Sequence, residues 1–217
     1  MASWLKRKSG SDPTIPLDAP LDYLRFVVID TELTSLEKRT NRLLSIGAIG
    51  MRGTSIVLGE QFYRIVNPQI AIPADTVIIH QIRSHDVEGA AETSRTLDEF
   101  SRFVAGAVLV GHCATIDLQA LRKEMSQTGH RLSNPAIDTA RIHPWLLRHE
   151  PHSEDLPLQL EKLDLPTLVR YYDIEAENAH HALSDAFATA RLWQKMFLRL
   201  QKHGVNNVRK LLKVGRV

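Results

Sequence analysis

Phe26-Val27-Val28-Ile29-Asp30-Thr31-Glu32 is an apolar run that stops abruptly at two carboxylates one residue apart. Four branched or aromatic residues in succession read as a buried strand, and the two-residue period of a strand puts Asp30 and Glu32 on one side. Neighbouring carboxylates raise one another's pKa unless a hard divalent cation sits between them. The run therefore opens a cation site, or it is a strand that leaves the core for a polar loop. Ligands elsewhere in the chain decide between the two.

The chain has 217 residues, enough for one large domain whose core needs no disulfide or structural metal. Its 27 basic and 25 acidic residues nearly balance, which excludes a strongly basic nucleic-acid scaffold but allows a polyanion to be held through metal ions. The single Cys113 cannot form an internal bridge and suits a reducing compartment. No apolar run approaches the roughly 20 residues of a membrane span, and none follows the basic Lys6, Arg7 and Lys8 as a secretory signal requires. A cytoplasmic protein with no membrane partner is expected.

Residues 1–20, rich in Ser, Pro and charge, read as a flexible arm, 21–203 as the domain, and 204–217 as a basic tail. The strands predicted after Phe26–Glu32 are Leu43–Met51 and Ser55–Val66, a hairpin turned at Arg52-Gly53-Thr54 with Ile56, Leu58, Phe62 and Ile65 as its apolar members. Asn67 to Ala91 reads as a long connection with one short helix. Thr96-Leu97-Asp98-Glu99 matches a capping box, so a helix starts there. A strand at Ala107–Gly111, a helix from Ile116 to Gln127 and a strand at Ala136–Thr139 follow. Helices are expected over Thr139–His149 and Pro166–Tyr172. The last runs from Ala182 to Gln201, with Leu183, Phe187, Ala190, Trp193, Phe197 and Leu200 as its apolar stripe. Strands first, then alternating helix and strand, give an α/β domain with a mixed sheet.

Two later apolar elements also end in acids. Val108-Leu109-Val110-Gly111-His112-Cys113-Ala114-Thr115-Ile116-Asp117 is a strand, a turn and an acid in a first helical turn, where the helix dipole alone would favour one. In His180-His181-Ala182-Leu183-Ser184-Asp185, a helix fixes Asp185, while a spacing of five residues puts His180 off its face and on the preceding loop.

Together, Asp30-Thr31-Glu32, Asp117 in its Gly-His-Cys-Ala-Thr-Ile-Asp setting and His180-x4-Asp185 resemble the three motifs of the DEDDh branch of the DEDD exonucleases. These 3′-to-5′ exonucleases are related to the proofreading epsilon subunit of bacterial DNA polymerase III and to ribonuclease T. The likeness spans about Leu21 to Gln201 and includes Leu43-Leu44-Ser45-Ile46-Gly47-Ala48, His80-Gln81-Ile82-Arg83 and Ile137-Asp138-Thr139-Ala140. It implies a ribonuclease H-like fold, a mixed five-stranded sheet flanked by helices with the first motif on a central strand. The chain departs from the family at Glu32-Leu33-Thr34-Ser35, which lacks the usual glycine, and at Cys113, where the family commonly has Asn.

By that resemblance, Asp30, Glu32, Asp117 and Asp185 are the metal ligands and His180 is the general base, with His181 the competing candidate. Thr31, Leu33, Thr34 and His112 are the substrate contacts. Two divalent ions about 3.5 to 4 Å apart stabilise entering and leaving oxygens in phosphodiester hydrolysis, and all-oxygen ligands favour Mg²⁺ or Mn²⁺. The implied activity releases nucleoside 5′-monophosphates from the 3′ end of single-stranded nucleic acid, DNA before RNA. An RNA-trimming exoribonuclease or oligoribonuclease is the alternative. A non-catalytic nucleic-acid-binding module would be expected to have lost one of the five motif residues, and none is missing. A DNA polymerase partner rests on family analogy alone. His143, His149 and His152, with no Cys nearby, are expected on a solvated surface rather than in a zinc site. Gln159-Leu160-Glu161-Lys162-Leu163 only faintly resembles a sliding-clamp peptide, lacking its aromatic residue.

Overall fold

Strand β1 (Arg25–Leu33) lies in the middle of a five-stranded sheet ordered β3-β2-β1-β4-β5. The computed structural model describes residues 15–150, 163–175 and 180–217. β2 (Leu43–Arg52) and β3 (Ser55–Ile65) form the antiparallel hairpin, closed by Gly53 at φ +54, while β4 (Val108–Gly111) and β5 (Ala136–Asp138) run parallel to β1. This is the expected mixed α/β sheet, with the Asp-x-Glu strand paired on both edges.

Alternation along β1 assigns its side chains to two cores. Phe26 and Val28 belong to a cluster with α5 (Thr139–His149), α6 (Leu165–Tyr171), α7 (Ala182–Lys202) and α8 (Val208–Gly215). Val27, Ile29 and Leu33 pack with α3 (Thr93–Val104) and α4 (Thr115–Gln127) on the other face. The first cluster centres on Phe26, whose ring lies 5.3 Å from Trp193 and 6.0 Å from Phe197. Such pairs add about 0.5–1.5 kcal/mol each beyond burial. They seat α7 on the sheet.

Several expectations are corrected. The segment 67–91 holds two short helices, α1 (Ala74–His80) and α2 (Ser84–Glu88). α3 begins a turn before the expected capping box: Glu92 is the N-cap and Thr96 is a buried residue inside the helix. Leu58, on the edge strand β3, is 71% exposed, and Phe187 is 38% exposed because α7 turns its Ala186, Ala190 and Trp193 line to the sheet instead. His143 is buried, with Nδ1 3.0 Å from the Tyr172 hydroxyl; burial and the nearby Arg199 push its pKa down to about 4. His149 is exposed as expected and stacks on Trp145, whereas His152 and residues 159–162 lie outside the described residues.

The stretch 204–217 is built into the fold. Val208 and Leu211 of α8 are fully buried, Val217 N–H donates to Ala136 O at 3.2 Å, and Leu21 N–H donates to Asn206 O at 3.1 Å. Of the arm, residues 15–20 run against α8, with Arg209 N–H donating to Leu17 O at 2.7 Å; residues 1–14 lie outside the described residues. Among the described residues no helix is long and apolar enough to cross a membrane.

Candidate active site

The alternation that sorts the core also builds the site. Asp30 and Glu32 continue the Phe26 and Val28 side of β1 and so face α7, whose first turn carries Asp185. Asp30, Glu32 and Asp185 each offer a carboxylate oxygen within 4.8 Å of the others. Gly47 of β2, paired with Asp30, makes this approach possible: a Cβ there would stand 2.2 Å from the Ala182 carbonyl carbon. The sheet has no side chain where α7 lands.

Asp117, on α4, is not a member of that trio. Its Oδ1 accepts from the Thr31 backbone N–H at 3.0 Å and from the Thr31 hydroxyl at 2.6 Å. Thr31, expected at the substrate, therefore points to the α4 side of β1 and orients an acid. Leu33 is packed in the α4 core, since β1 continues past Glu32 with a register shift. Thr34 is buried, its Oγ1 accepting from the Arg42 N–H at 2.9 Å. All three of these expected contact residues turn their side chains inward.

Among the described residues no Lys or Arg is ion-paired with any of these four acids. Burial, then the carboxylates of Asp117, Asp185 and Glu32, hold Asp30 well above the usual carboxylate range. Burial, then the carboxylates of Asp185 and Asp117, push Glu32 up to about 7. Asp117 rises to about 6 through burial, against the opposing Thr31 hydrogen bonds, and burial also raises Asp185. Four acids near one another with raised pKa values form a site that binds protons or a cation. A donor set made only of carboxylate oxygens fits a hard divalent ion.

His180 and His181 have different surroundings. His180 sits at φ +66 at the start of α7, exposed, its backbone N–H donating to Asp185 Oδ2 at 2.9 Å. It lines a cavity of about 760 Å³ together with Asp30 and Asp185. His181 is the α7 N-cap residue, and its ring stacks 4.7 Å from Tyr63. That contact holds His181 against β3, and the cavity lining contains only His180 of the two.

His112 and Cys113 line the same cavity from the end of β4. His112 is buried, with Nδ1 2.8 Å from Thr139 Oγ1, and burial lowers its pKa, favouring the neutral ring. Asp138 organises this corner: its Oδ1 accepts from Cys113 N–H and Ala140 N–H, each at 2.9 Å, capping α5 and holding Cys113 at φ +52. The remaining wall mixes apolar Leu165, Pro166, Val169 and Ile174 with charged Asp164, Arg170, Asp173 and Glu175. Sequence reasoning missed Leu36, which is 77% exposed and lines the cavity; a lone Leu in a charged loop was its signal.

The family model described as exonuclease matches residues 27–193. The chain is 31% identical over 183 residues to a DNA polymerase III PolC-type of Caldanaerobacter subterraneus, covering 84% of this chain and 12% of that protein. A DNA polymerase III subunit epsilon-like protein of Rhodobacter capsulatus is 32% identical over 190 residues, 87% of this chain and 26% of that one. The chain thus spans about an eighth and about a quarter of these relatives' lengths. In fold it is similar to E. coli exonuclease I in complex with a dA16 oligonucleotide (TM-score 0.70, 19% identity, 88% of this chain and 45% of that one). It is also similar to exonuclease X in complex with 5′ overhanging duplex DNA (TM-score 0.63, 18% identity, 87% and 98%). A match running from β1 into α7 takes in every element that positions the four acids and His180, and the chain belongs to the exonuclease family.

Proposed function

We propose that the chain hydrolyses phosphodiester bonds one at a time from the 3′ end of single-stranded DNA, releasing nucleoside 5′-monophosphates. The observation that carries this reading is the trio Asp30, Glu32 and Asp185, within 4.8 Å of one another, with Asp30 and Asp185 on the wall of a cavity of about 760 Å³ and no Lys or Arg ion-paired to the trio among the described residues. Asp30, Glu32 and Asp185 would hold a divalent ion, Mg²⁺ or Mn²⁺, and Asp117 stands ready to hold a second directly or through water. When bound, such ions stabilise charge on the entering and leaving oxygens of the phosphodiester.

The chain's own side chains do the rest. His180, exposed on the cavity wall and tethered through its backbone to Asp185, accepts the proton of the attacking water, a task suited to imidazole. Thr31 holds Asp117 in one orientation. Leu36 and the apolar wall formed by Leu165, Pro166, Val169 and Ile174 offer surface to the terminal bases, while His112 offers a neutral ring to the sugar. DNA is preferred as substrate on the relatives' names, which also supply the support for a polymerase partner.

The experiment is degradation of 5′-labelled and 3′-labelled single strands, DNA beside matched RNA, with Mg²⁺ or Mn²⁺. The expected result is a ladder shortening from the 3′ end, faster on DNA, that needs the metal and vanishes in Asp30→Ala. Faster RNA turnover transfers the proposal to an exoribonuclease, and no cleavage of either polymer overturns it.

A further inference from the structure

The walls of the cavity differ in charge. From the α6 N-cap to the residues after the helix, Asp164, Asp173 and Glu175 line the cavity, with Arg170 the cation there among the described residues. A polyanion leaving across that wall meets a net excess of carboxylate even when the inner acids are balanced. The apolar side chains there suit a base, and the charge opposes a phosphate chain.

The loop after β1 has the opposite character. It enters the lining at Leu36, and Lys38 and Arg39 follow within about 11 Å along the chain. Both are exposed, and among the described residues neither side chain makes a hydrogen bond or ion pair. The loop that presents them is pinned. Lys123 Nζ donates to Asn41 O at 2.9 Å and to Arg39 O at 3.3 Å, adding its charge to the same spot. Thr34 fixes the loop's base through Arg42. The Arg42 guanidinium is offset by Glu124 at 3.3 Å, and Glu37, 3.2 Å from the Thr40 hydroxyl, opposes one of the three remaining cations. With the backbone already fixed, meeting a phosphate orders only the side chain and not the loop.

Resting on the exonuclease reading, we infer that the single strand leaves the cavity past Leu36 and across the 36–42 loop, its upstream phosphates carried by Lys38, Arg39 and Lys123. The strand's polarity in the site follows, with the terminal base toward α6 and the 5′ side over the loop.

The test uses the full chain with Lys38→Gln/Arg39→Gln, and Asp173→Asn/Glu175→Gln as the opposite-wall comparison. Binding of 5′-fluorescein-labelled oligothymidylate is followed by anisotropy against NaCl, in an Asp185→Asn background that keeps the oligomer intact. Hydrolysis of the p-nitrophenyl ester of thymidine 5′-monophosphate, which has no upstream phosphate, is measured with Asp185 in place. Losing two phosphate contacts should flatten the plot of log affinity against log salt by about 1.4. The parent's advantage then shrinks about sevenfold between roughly 50 and 200 mM NaCl. Ester turnover should be unchanged, and the α6-side pair should not weaken binding. An unaltered salt slope, or an equal loss from the α6-side pair, overturns the proposed path. Failure of the parent to cleave either substrate would sink the exonuclease reading instead, while the binding arm still decides the path.

Discussion

Replacing Gly47 by Ala should dismantle the site without touching any acid. The new Cβ would stand 2.2 Å from the Ala182 carbonyl carbon and 2.3 Å from Ala182 O and Leu183 N, about 1.2 Å short of ordinary contact. All three are backbone atoms at the start of α7, so no rotamer change relieves the clash. β2 is hydrogen-bonded on both edges, which leaves α7 to lift, taking Asp185 and His180 away from Asp30 and Glu32. Overpacking of this kind costs about 1–3 kcal/mol, and for a chain of this size 3 kcal/mol lowers Tm by roughly 6–12 °C. A displacement of about 1 Å at a catalytic centre costs on the order of 100-fold in turnover. The assays are thermal unfolding, Mn²⁺ titration by calorimetry and turnover of a labelled single strand, with Gly59→Ala, whose Cβ meets nothing within 4 Å, as control. A Gly47→Ala protein with unchanged Tm and Mn²⁺ affinity would refute the claim that this glycine lets α7 reach the sheet.

His180→Ala should lose about 10²–10⁴ in turnover with metal affinity kept, whereas His181→Ala, whose ring rests on Tyr63, should lose far less; equal losses in single-turnover kinetics would reverse the assignment. Glu32, at about 7 in the fold against an ordinary 4.5, makes the metal-free folded chain bind more protons than the unfolded one. Its contribution is thus fully present below about pH 4.5 and lost as pH rises to about 7, so Tm in EDTA should fall between about pH 4.5 and 7, and saturating Mg²⁺ should abolish that slope. His143 has the opposite sign: with its pKa down at about 4 against an ordinary 6.5, stability is lost as pH falls across that interval. His143→Gln should flatten the acid limb of a Tm profile, and an unchanged limb would show that folding does not lower the His143 pKa.

The Phe26–Glu32 run and the three spaced acid motifs made the fold and the gathering of the acids legible, because burial on both faces of β1 and the helix starts at Asp117 and Asp185 are local properties of sequence. The substrate contacts were less so. Thr31 and Leu33 follow the inward geometry of a strand one residue longer than the apolar run suggests, Thr34 just beyond it is buried and bonded to Arg42, and nothing local marks where β1 ends. His143 looked like a surface histidine because its burial comes from Tyr171 and Tyr172, almost thirty residues away. The 204–217 stretch looked like a tail because each half of its short apolar pattern is completed by a partner distant in sequence, Ile137 and Ile142 on one side and residues 17–21 on the other.

Cys113 is the chain's one cysteine, it is exposed, and it stands on the cavity wall at φ +52. A side chain held in that left-handed region costs on the order of 1 kcal/mol, more than an Asn there would. The same position makes the protein its own reporter. A thiol-reactive fluorophore or spin label can attach at a single native point beside the acids, with no cysteine to remove elsewhere. Burial and the nearby carboxylates of Asp138, Asp117 and Asp164 push its pKa up, so labelling should proceed best in mildly alkaline buffer. An oligonucleotide seated in the cavity would then shield it, which turns the labelling rate into a direct measure of occupancy in the absence of any cleavage.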